Sequence, residues 1–217
     1  MLLQTPNPST ICISGTSGSG KSSLVHKIIQ NIDSFYCNPT PCRIMYCYGQ
    51  YQNLFSKIEA ECSIIQFHPG LPSEKQLQDL SDNNVANGTS SLLILDDLQE
   101  LLINSPLIQN LFTVKSHHSL INVIYLKQNL FCPGKYSRTI SLNTHIYLLT
   151  SNMRDLRQIS LLGSQIYGKD NCLLTAYKDA MLTPFNYLVI DLHPKSCEEY
   201  RLRTNIFNDA IVIYQKV

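Results

Sequence analysis

The chain has 217 residues, of which 44% are hydrophobic and 15% are charged, and its formal net charge is +1. These values are typical of a folded protein of one domain, so we predict a single domain over residues 1–217, while the small net charge neither indicates nor excludes a nucleic-acid partner. No stretch of about 18 apolar residues is present and residues 1–10 lack a secretory signal pattern, which argues against a membrane span or a membrane partner and favours a soluble, intracellular protein.

The first predicted elements are a strand, a loop and a helix. Thr10–Ser14 is a short apolar run rich in β-branched residues, a Gly/Ser-rich turn follows it, and Leu24–Ile29 reads as a helix. This order predicts that the chain opens with a βα unit whose connecting loop is rich in glycine.

Further strands alternate with helices along the chain. We predict strands at Arg43–Tyr48, Ser63–Phe67, Leu92–Leu95, Ile121–Leu126 and Thr144–Leu149, and helices at Ser73–Leu80 and Leu98–Ser116. Leu188–Leu192 and Ile211–Tyr214 are predicted as late strands at the edge of the sheet. The alternation predicts an α/β fold, a three-layer αβα sandwich with a mainly parallel central sheet.

The loop after the first strand matches the phosphate-binding pattern G-x-x-x-x-G-K-[ST] at each fixed position. Its residues are Gly15, Thr16, Ser17, Gly18, Ser19, Gly20, Lys21 and Ser22, and Ser23 follows them. The glycines let successive N–H groups point inward around an anion, and the helix N-terminus adds partial positive charge. We therefore predict a P-loop that binds ATP or GTP, with Lys21 reaching the β- and γ-phosphates and Ser22 ligating Mg²⁺. A Gly/Ser loop that matches by chance is the alternative, which the flanking strand and helix disfavour.

The apolar strand that includes Leu92–Leu95 ends in two acids. We predict that Asp96 holds Mg²⁺ and that Asp97 polarises the attacking water, because the carboxyl end of a buried parallel strand meets the nucleotide. The two acids could instead cap the following helix. Glu100, one turn further on, is the substitute for Asp97 as the base.

The strand Asn122–Lys127 ends at the amides Gln128 and Asn129. An amide at this position can hydrogen-bond both the γ-phosphate and the attacking water, so Gln128 is a predicted catalytic residue that senses the phosphate. An ordinary polar start of a loop is the alternative.

The order of these motifs, with a pair of strands at the C-terminal end, resembles the HerA/FtsK branch of P-loop ATPases and implies a RecA/FtsK-HerA-like fold. More specific segments resemble the genome-packaging ATPases of Polinton/Maverick elements and adintoviruses, which are relatives of the poxvirus packaging ATPase. These segments are Phe67–Pro72, Leu95–Leu98, Ser116–His118, Gln128–Phe131, Arg138–Asn143 and Arg154–Asp155. The resemblance extends from about Thr10 to Tyr214.

The resemblance implies an ATP-driven motor that pushes double-stranded DNA into a preformed capsid. It implies a homo-oligomeric ring such as a hexamer with ATP sites between subunits, viral capsid proteins as partners, and a location at assembly sites in the nucleus or cytoplasm of the host cell, or in the virion. Such rings complete each site with an arginine of the neighbouring subunit, for which Arg138 and Arg154 are the candidates and Arg157 is a third choice. A solvated surface arginine is the alternative for each.

Two segments depart from the family pattern. Thr150–Arg154 stands where a Lys-Asn-Pro version is expected, and Leu161–Gln165 stands where an Ala-Arg-Gln ending is expected. The departures concern partner contacts rather than hydrolysis, since the P-loop and the acids are intact. Lysines that could face the pore of a ring are scattered along the chain, namely Lys127, Lys135, Lys169 and Lys195.

The eight cysteines are scattered along a chain long enough to build its own core, which favours free thiols over a disulfide framework. Cys37, Cys42 and Cys47 recur at even spacing, with Cys42 and Cys47 flanking a predicted strand, but no Cys-x-x-Cys pattern or histidine partner accompanies them. His117 and His118 would point about 100° apart on a helix. The sequence therefore favours reduced core cysteines over a zinc site at residues 37, 42 and 47, and it does not favour a histidine metal site.

Two other functions remain open from the sequence. A nucleotide kinase-like phosphotransferase would share the P-loop, but it needs arginines clustered in a lid, and the few arginines here are dispersed. A nucleotide-binding scaffold without turnover is the other alternative, because Asp97 is shorter than the glutamate that reaches the water in many such enzymes.

Overall fold

The structure is a computed structural model, and it describes residues 4–115, 119–208 and 210–215. The described chain contains nine strands that form one sheet. They are β1 (Thr10–Ser14), β2 (Pro41–Tyr48), β3 (Ile65–Pro69), β4 (Ser90–Asp96), β5 (Ile121–Lys127), β6 (Ile146–Leu149), β7 (Leu188–Asp191), β8 (Leu202–Thr204) and β9 (Val212–Tyr214).

The sheet order is β3-β2-β4-β5-β1-β6-β7-β8-β9. Strands β1 to β6 pair in parallel, and β7, β8 and β9 extend the sheet with antiparallel pairs. The sheet is therefore mainly parallel, as the alternating pattern predicts. β5 lies between β1, which precedes the P-loop, and β4, which ends in Asp96.

Helices cover both faces of the sheet. They are α1 (Lys21–Gln30), α2 (Ile32–Phe35), α3 (Asn53–Glu61), α4 (Glu74–Asn87), α5 (Gln99–Asn104), α6 (Pro106–Asn110), α7 (Ser137–Leu142), α8 (Leu156–Tyr167) and α9 (Cys172–Ala180), with a π-helical turn at Leu111–Lys115 and a 3-10 turn at Glu198–Tyr200. None of the described helices is both long and apolar enough to cross a bilayer.

Two hydrophobic clusters separate the layers. Helices α1, α2 and α3 pack on one face with Ile11 and Ile13 of β1, while α4 to α9 pack on the other face with Cys12. Successive side chains of a strand point to opposite faces, so a strand covered on both sides must be apolar throughout. The described architecture is the predicted three-layer αβα sandwich.

Several predicted boundaries are wrong. The strand predicted at Ser63–Phe67 lies at Ile65–Pro69. The helix predicted at Leu98–Ser116 is broken, because Pro106 starts a new helix and lacks the N–H that a continuous helix would use. Ser105 caps that new helix by accepting a hydrogen bond from the Ile108 N–H at 3.3 Å.

The C-terminal strands also differ from the prediction. β7 is an internal strand between β6 and β8, and of the two predicted late strands only β9 lies at the edge. The short strand β8 was not predicted, since its three residues include an arginine and a threonine and carry no alternating apolar pattern.

The eight cysteines are free thiols, but most of them are not in the core. Cys12 and Cys47 are buried, while Cys42 and Cys197 are exposed and the others are half-buried. Cys42 and Cys47 lie within β2 rather than on either side of it. The prediction of core positions for Cys37, Cys42 and Cys47 is therefore confirmed for Cys47 and wrong for the other two.

Candidate active site

The P-loop, the two acids and Gln128 lie at one edge of the sheet. The P-loop follows the carboxyl end of β1, Asp96 ends β4, and Gln128 follows β5. Since the carboxyl ends of parallel strands share an edge, these residues line one cleft of about 1290 Å³. The cleft lining includes Ser17, Gly18, Gly20, Lys21, Ser22, Ser23, Asp96, Asp97, Glu100, Gln128, Asn129, Phe185 and Tyr187.

The P-loop is anchored to the strands on either side of β1. The Gly15 N–H donates to the Lys127 carbonyl at 3.2 Å, and both the N–H and the hydroxyl of Thr16 donate to the Ser151 carbonyl. The Ser19 and Thr150 hydroxyls lie 2.7 Å apart. Ser17 and Gly18 are exposed and line the cleft, so the tip of the loop is open to a ligand while its base is fixed.

The loop ends at Gly20, the N-cap of α1. Its φ of 92° lies in the left-handed region, where glycine is free of the strain that a side chain would bring. Glycine also has no side-chain acceptor, so the amides of the first helical turn remain available to a phosphate oxygen.

Lys21 is held over the P-loop. Its Nζ donates to the carbonyl oxygens of Gly15 and Thr16, each at 2.8 Å. Partial burial lowers the pKa of Lys21, and the neighbouring carboxylates of Asp96 and Asp97 oppose that shift. A cation at this position can neutralise phosphate oxygens seated in the loop.

Asp96 is almost completely buried, at 4% exposure, and its Oδ2 accepts several hydrogen bonds. The Tyr46 hydroxyl donates to it at 2.7 Å, the Ser22 hydroxyl at 3.2 Å and the Gln52 amide at 3.5 Å. Burial raises the pKa of Asp96, and the hydrogen bonds from Tyr46 and Ser22 partly offset this. Ser22 and Asp96 thus bring a hydroxyl and a carboxylate oxygen together, which is the ligand chemistry that Mg²⁺ prefers.

Asp97 is exposed in the cleft and has a φ of 56°, a left-handed conformation that aspartate tolerates better than most residues. Gly49 makes room for it, because a Cβ at residue 49 would lie 2.3 Å from the Asp97 carbonyl oxygen. Glu100 also lines the cleft and is exposed. Asp97 and Glu100 therefore both place a carboxylate in the cleft.

Gln128 lies where the sequence predicts it, at the end of β5 in the cleft. Its backbone N–H donates to the Gln99 side-chain oxygen at 3.2 Å, which ties the loop after β5 to the start of α5. Lys127, proposed as a residue facing a DNA pore, instead points inward, since it is 7% exposed and its Nζ donates to the Leu130 carbonyl at 2.6 Å.

A family model for the NACHT domain matches residues 9–131. The chain belongs to the NACHT-domain family. The matched residues of this NACHT chain contain the P-loop, both acids and Gln128, so the chain is a P-loop nucleoside triphosphatase. A search of curated protein sequences finds no match to it.

Solved structures share the fold of the NACHT chain. The genome packaging NTPase B204 of Sulfolobus turreted icosahedral virus 2, in complex with ATP-gammaS, superposes with a TM-score of 0.56 at 15% identity, over 97% of this chain and 98% of that one. The cytoplasmic domain of the Thermomonospora curvata type VII secretion ATPase EccC gives 0.55 at 15% identity, over 87% and 24%. EssC ATPases 2 and 3 from Geobacillus thermodenitrificans give 0.52 at 14% identity, over 84% and 37%. At these identities the likeness shows the fold alone.

The predicted arginines lie apart from the cleft of their own NACHT chain. Arg154 is exposed in the turn between β6 and α8, Arg157 is exposed in the first turn of α8, and Arg138 is exposed in the first turn of α7. Arg138 is thus in a helix. The three arginines are not among the described residues that line the cleft.

Metal sites away from the cleft have little support in the described residues. Among them, no group of three or more His, Cys, Asp or Glu side chains is placed to hold a metal ion. His117 and His118, together with Ser116, lie outside the described residues.

The sequence did not reveal Tyr46 and Gly49 as part of the site. Tyr46 lies in an apolar strand run, and only the pairing of β2 with β4 places its hydroxyl beside Asp96. The available signal was a tyrosine in a strand predicted to be buried, because a buried hydroxyl needs a partner. Gly49 gave a turn signal directly after β2, but its contact with Asp97 depends on the neighbouring strand.

Proposed function

We propose that this chain is an ATP-driven motor that packages double-stranded DNA into a viral capsid. The observation that carries the proposal is the fold likeness to the genome packaging NTPase B204, which covers 97% of this chain and 98% of that one. The likeness therefore takes in β7 to β9, which lie beyond residues 9–131 of the NACHT match. The segments that resemble Polinton and adintovirus packaging ATPases, within the HerA/FtsK branch, support the same assignment.

The cleft geometry supports ATP hydrolysis by its own residues. Lys21 neutralises the β- and γ-phosphate oxygens, while Ser22 and Asp96 would hold Mg²⁺, which when bound neutralises charge on the transferred phosphoryl group. Asp97 or Glu100 accepts a proton from the attacking water. Gln128 orients that water from the end of β5.

The working form of the motor is a homo-oligomeric ring such as a hexamer. Arg138 and Arg154 support this part of the proposal, because they are exposed and lie outside the cleft of their own chain, where an arginine of a neighbouring subunit can reach it. Capsid proteins and double-stranded DNA are the partners, and the site of action is the assembly site in the host nucleus or cytoplasm, or the virion.

The test is ATP hydrolysis by the purified protein with and without double-stranded DNA. We expect DNA to stimulate phosphate release, and Lys21→Ala and Asp96→Ala each to abolish it. Lys75→Ala is the matched control, because this lysine is exposed on α4 and lies outside the cleft lining. Unchanged rates in the two cleft variants would remove the site assignment.

Other outcomes would favour the rival functions. Hydrolysis that does not respond to DNA would remove the motor. Transfer of phosphate from ATP to a nucleoside or nucleotide would favour a kinase-like phosphotransferase. Tight ATP binding without phosphate release would favour a nucleotide-binding scaffold.

A further inference from the structure

An exposed phenylalanine lies against the end of the P-loop. Phe185 is 75% exposed and lines the cleft, although exposing a large apolar side chain to water is unfavourable. A Cβ built on Gly20 would lie 3.5 Å from Phe185 Cδ1 and 3.8 Å from its Cβ. The aromatic ring therefore packs beside the N-cap of α1 and leaves much of its surface open to the cleft.

The backbone holds Phe185 in this position. Its φ is 57°, a left-handed conformation that is an outlier for a bulky residue and persists where the surrounding structure fixes it. The neighbouring Asn186 supplies that support, since its side chain donates to the Ala180 carbonyl at 3.0 Å and accepts from the Thr204 hydroxyl at 3.0 Å. The turn before β7 is thus fastened to α9 and β8 while the ring stays exposed.

The position of Phe185 relative to the two ends of the P-loop indicates its ligand. Asp96 and Gln128 lie on the β4 and β5 side of β1, whereas the turn containing Phe185 lies on the β6 and β7 side. β7 is antiparallel to β6 with Leu188 opposite Leu149, so the start of β7 reaches the same edge as the carboxyl ends of the parallel strands. A triphosphate whose γ end faces Asp96 consequently has its nucleoside end toward Phe185.

We propose that Phe185 is the platform on which the base of the bound nucleoside triphosphate stacks, an inference that rests on the proposed ATP hydrolysis. An aromatic face is suited to this role because each nucleobase has a π-face, and stacking tolerates a change of base. Tyr187, two residues after Phe185, and Leu24, in the first turn of α1, are apolar residues that also line the cleft. The platform binds the base by contact area rather than by reading its edge, so ATP and GTP have similar KM values.

The test separates the base from the phosphates. Phe185→Ala raises the KM for ATP about tenfold, with a smaller effect on kcat, because stacking on an aromatic ring contributes binding that the truncation removes. Inorganic tripolyphosphate, which has no base, serves as a competitive inhibitor, and its inhibition constant stays the same in the variant. Phe185→Tyr keeps the KM of the original protein.

The chain contains no tryptophan, so Phe185→Trp places a single fluorescent reporter at the platform. Its emission changes when ATP binds and does not change with tripolyphosphate. Leu182→Trp is the matched control, since Leu182 is 79% exposed on the same turn and lies outside the cleft lining. Its emission does not respond to ATP.

Three results would overturn the inference while leaving ATP hydrolysis in place. They are an unchanged KM for ATP in Phe185→Ala, an equal loss of ATP and tripolyphosphate affinity, and a change of oligomeric mass without a change of ATP affinity, which would make Phe185 a subunit contact. A protein that neither binds nor hydrolyses ATP would instead overturn the proposed function, and the inference with it.

Discussion

Asp96 is the residue at which the requirements of the site and of the fold conflict most directly. Its carboxyl group is buried, which raises its pKa, yet the proposed role of Asp96 as a Mg²⁺ ligand requires the ionised form. For an acid whose pKa is higher in the folded protein than in the unfolded chain, ionisation destabilises the fold. The loss of stability begins as the pH rises past the ordinary value of 3.8 and is complete above the raised pKa.

Asp96→Asn is therefore expected to lose activity and gain stability. The amide removes the buried charge and keeps an oxygen that can accept from Tyr46 and Ser22. We expect ATPase activity to fall at least about 100-fold, because Mg²⁺ loses a carboxylate ligand and the charge of the transition state is neutralised less well. We expect the Tm at pH 8 without metal to rise. Phosphate release and thermal unfolding measure the two effects. Asp79→Asn, on an exposed acid of α4, is the control for both. An active Asp96→Asn protein, or one with a lower Tm, would contradict this account of Asp96.

Tyr46 acts on the site through Asp96. Its hydroxyl, 2.7 Å from Asp96 Oδ2, fixes the carboxylate and opposes the rise of its pKa. We expect Tyr46→Phe to require about tenfold more Mg²⁺ for half-maximal ATPase activity, since loss of a partner that orients a metal ligand typically weakens metal binding by 10- to 100-fold. The measurement is a Mg²⁺ titration of the ATPase rate.

Tyr147→Phe is the matched control for Tyr46. Tyr147 is also buried in a strand, and its hydroxyl donates to the Ser141 carbonyl at 2.7 Å, away from the cleft. Its loss should lower the free energy of unfolding by about 1 kcal/mol and leave the Mg²⁺ dependence unchanged. Equal Mg²⁺ requirements for Tyr46→Phe and the original protein would show that Asp96 needs no support from the phenol.

At the scale of elements, the sequence predicts those features that are formed by consecutive residues. β1, the P-loop and α1 are consecutive, and each has a recognisable sequence pattern. The P-loop could therefore be predicted without any tertiary contact. The same is true of β4 and its two acids. These elements supply Lys21, Ser22 and Asp96, which meet because parallel strands end at a common edge.

Contacts between distant segments could not be predicted in this way. Tyr46 meets Asp96 only through the register of β2 against β4, and Phe185 meets Gly20 only because β7 runs antiparallel to β6. The helix predicted at Leu98–Ser116 took no account of Pro106, a break signal that was present in the sequence. β8 is too short for any periodicity, and its contacts with β7 include a buried ion pair.

That ion pair joins β7 to β8. Arg203 Nη2 lies 2.9 Å from Asp191 Oδ2, the two side chains are 4% and 3% exposed, and Arg203 Nη1 also donates to the Tyr200 carbonyl at 2.7 Å. We expect Arg203→Met to lower the free energy of unfolding by about 3–5 kcal/mol, because it leaves the Asp191 carboxylate buried without its cation. Urea-induced unfolding measures the change.

Two further variants control this prediction. The double variant Asp191→Asn with Arg203→Met removes both charges and should recover most of the loss. Lys57→Met removes a lysine that is 63% exposed and lies 3.8 Å from Glu61, and it should change stability by less than about 1 kcal/mol. An Arg203→Met protein as stable as the double variant would show that the buried carboxylate finds another partner.

At the scale of the whole molecule, the NACHT family model matches the part of the chain with the P-loop and the acids but not the C-terminal part. The NACHT match ends at residue 131, at the start of the segment that carries the candidate arginines and β6 to β9. The P-loop therefore lies in the part that matches the family model, and the arginines proposed to contact a neighbouring subunit lie after residue 131. This division predicts that loss of the arginines should impair hydrolysis without impairing nucleotide binding.

Mixing two inactive variants tests whether neighbouring subunits complete each other's sites. We expect Arg154→Ala to bind ATP and to hydrolyse it at least about 100-fold more slowly, by analogy with arginines supplied in trans to other P-loop enzymes. Lys21→Ala subunits have a defective P-loop but an intact Arg154. Adding them should restore part of the activity, because their arginine can complete the intact P-loop site of an Arg154→Ala neighbour. The same mixture made with Arg138→Ala identifies which arginine acts, and Arg43→Ala, exposed in β2 near its amino end, is the control that should remain active alone. If neither mixture regains activity while both parent variants assemble, the sites are complete within single subunits and the ring is not needed for hydrolysis.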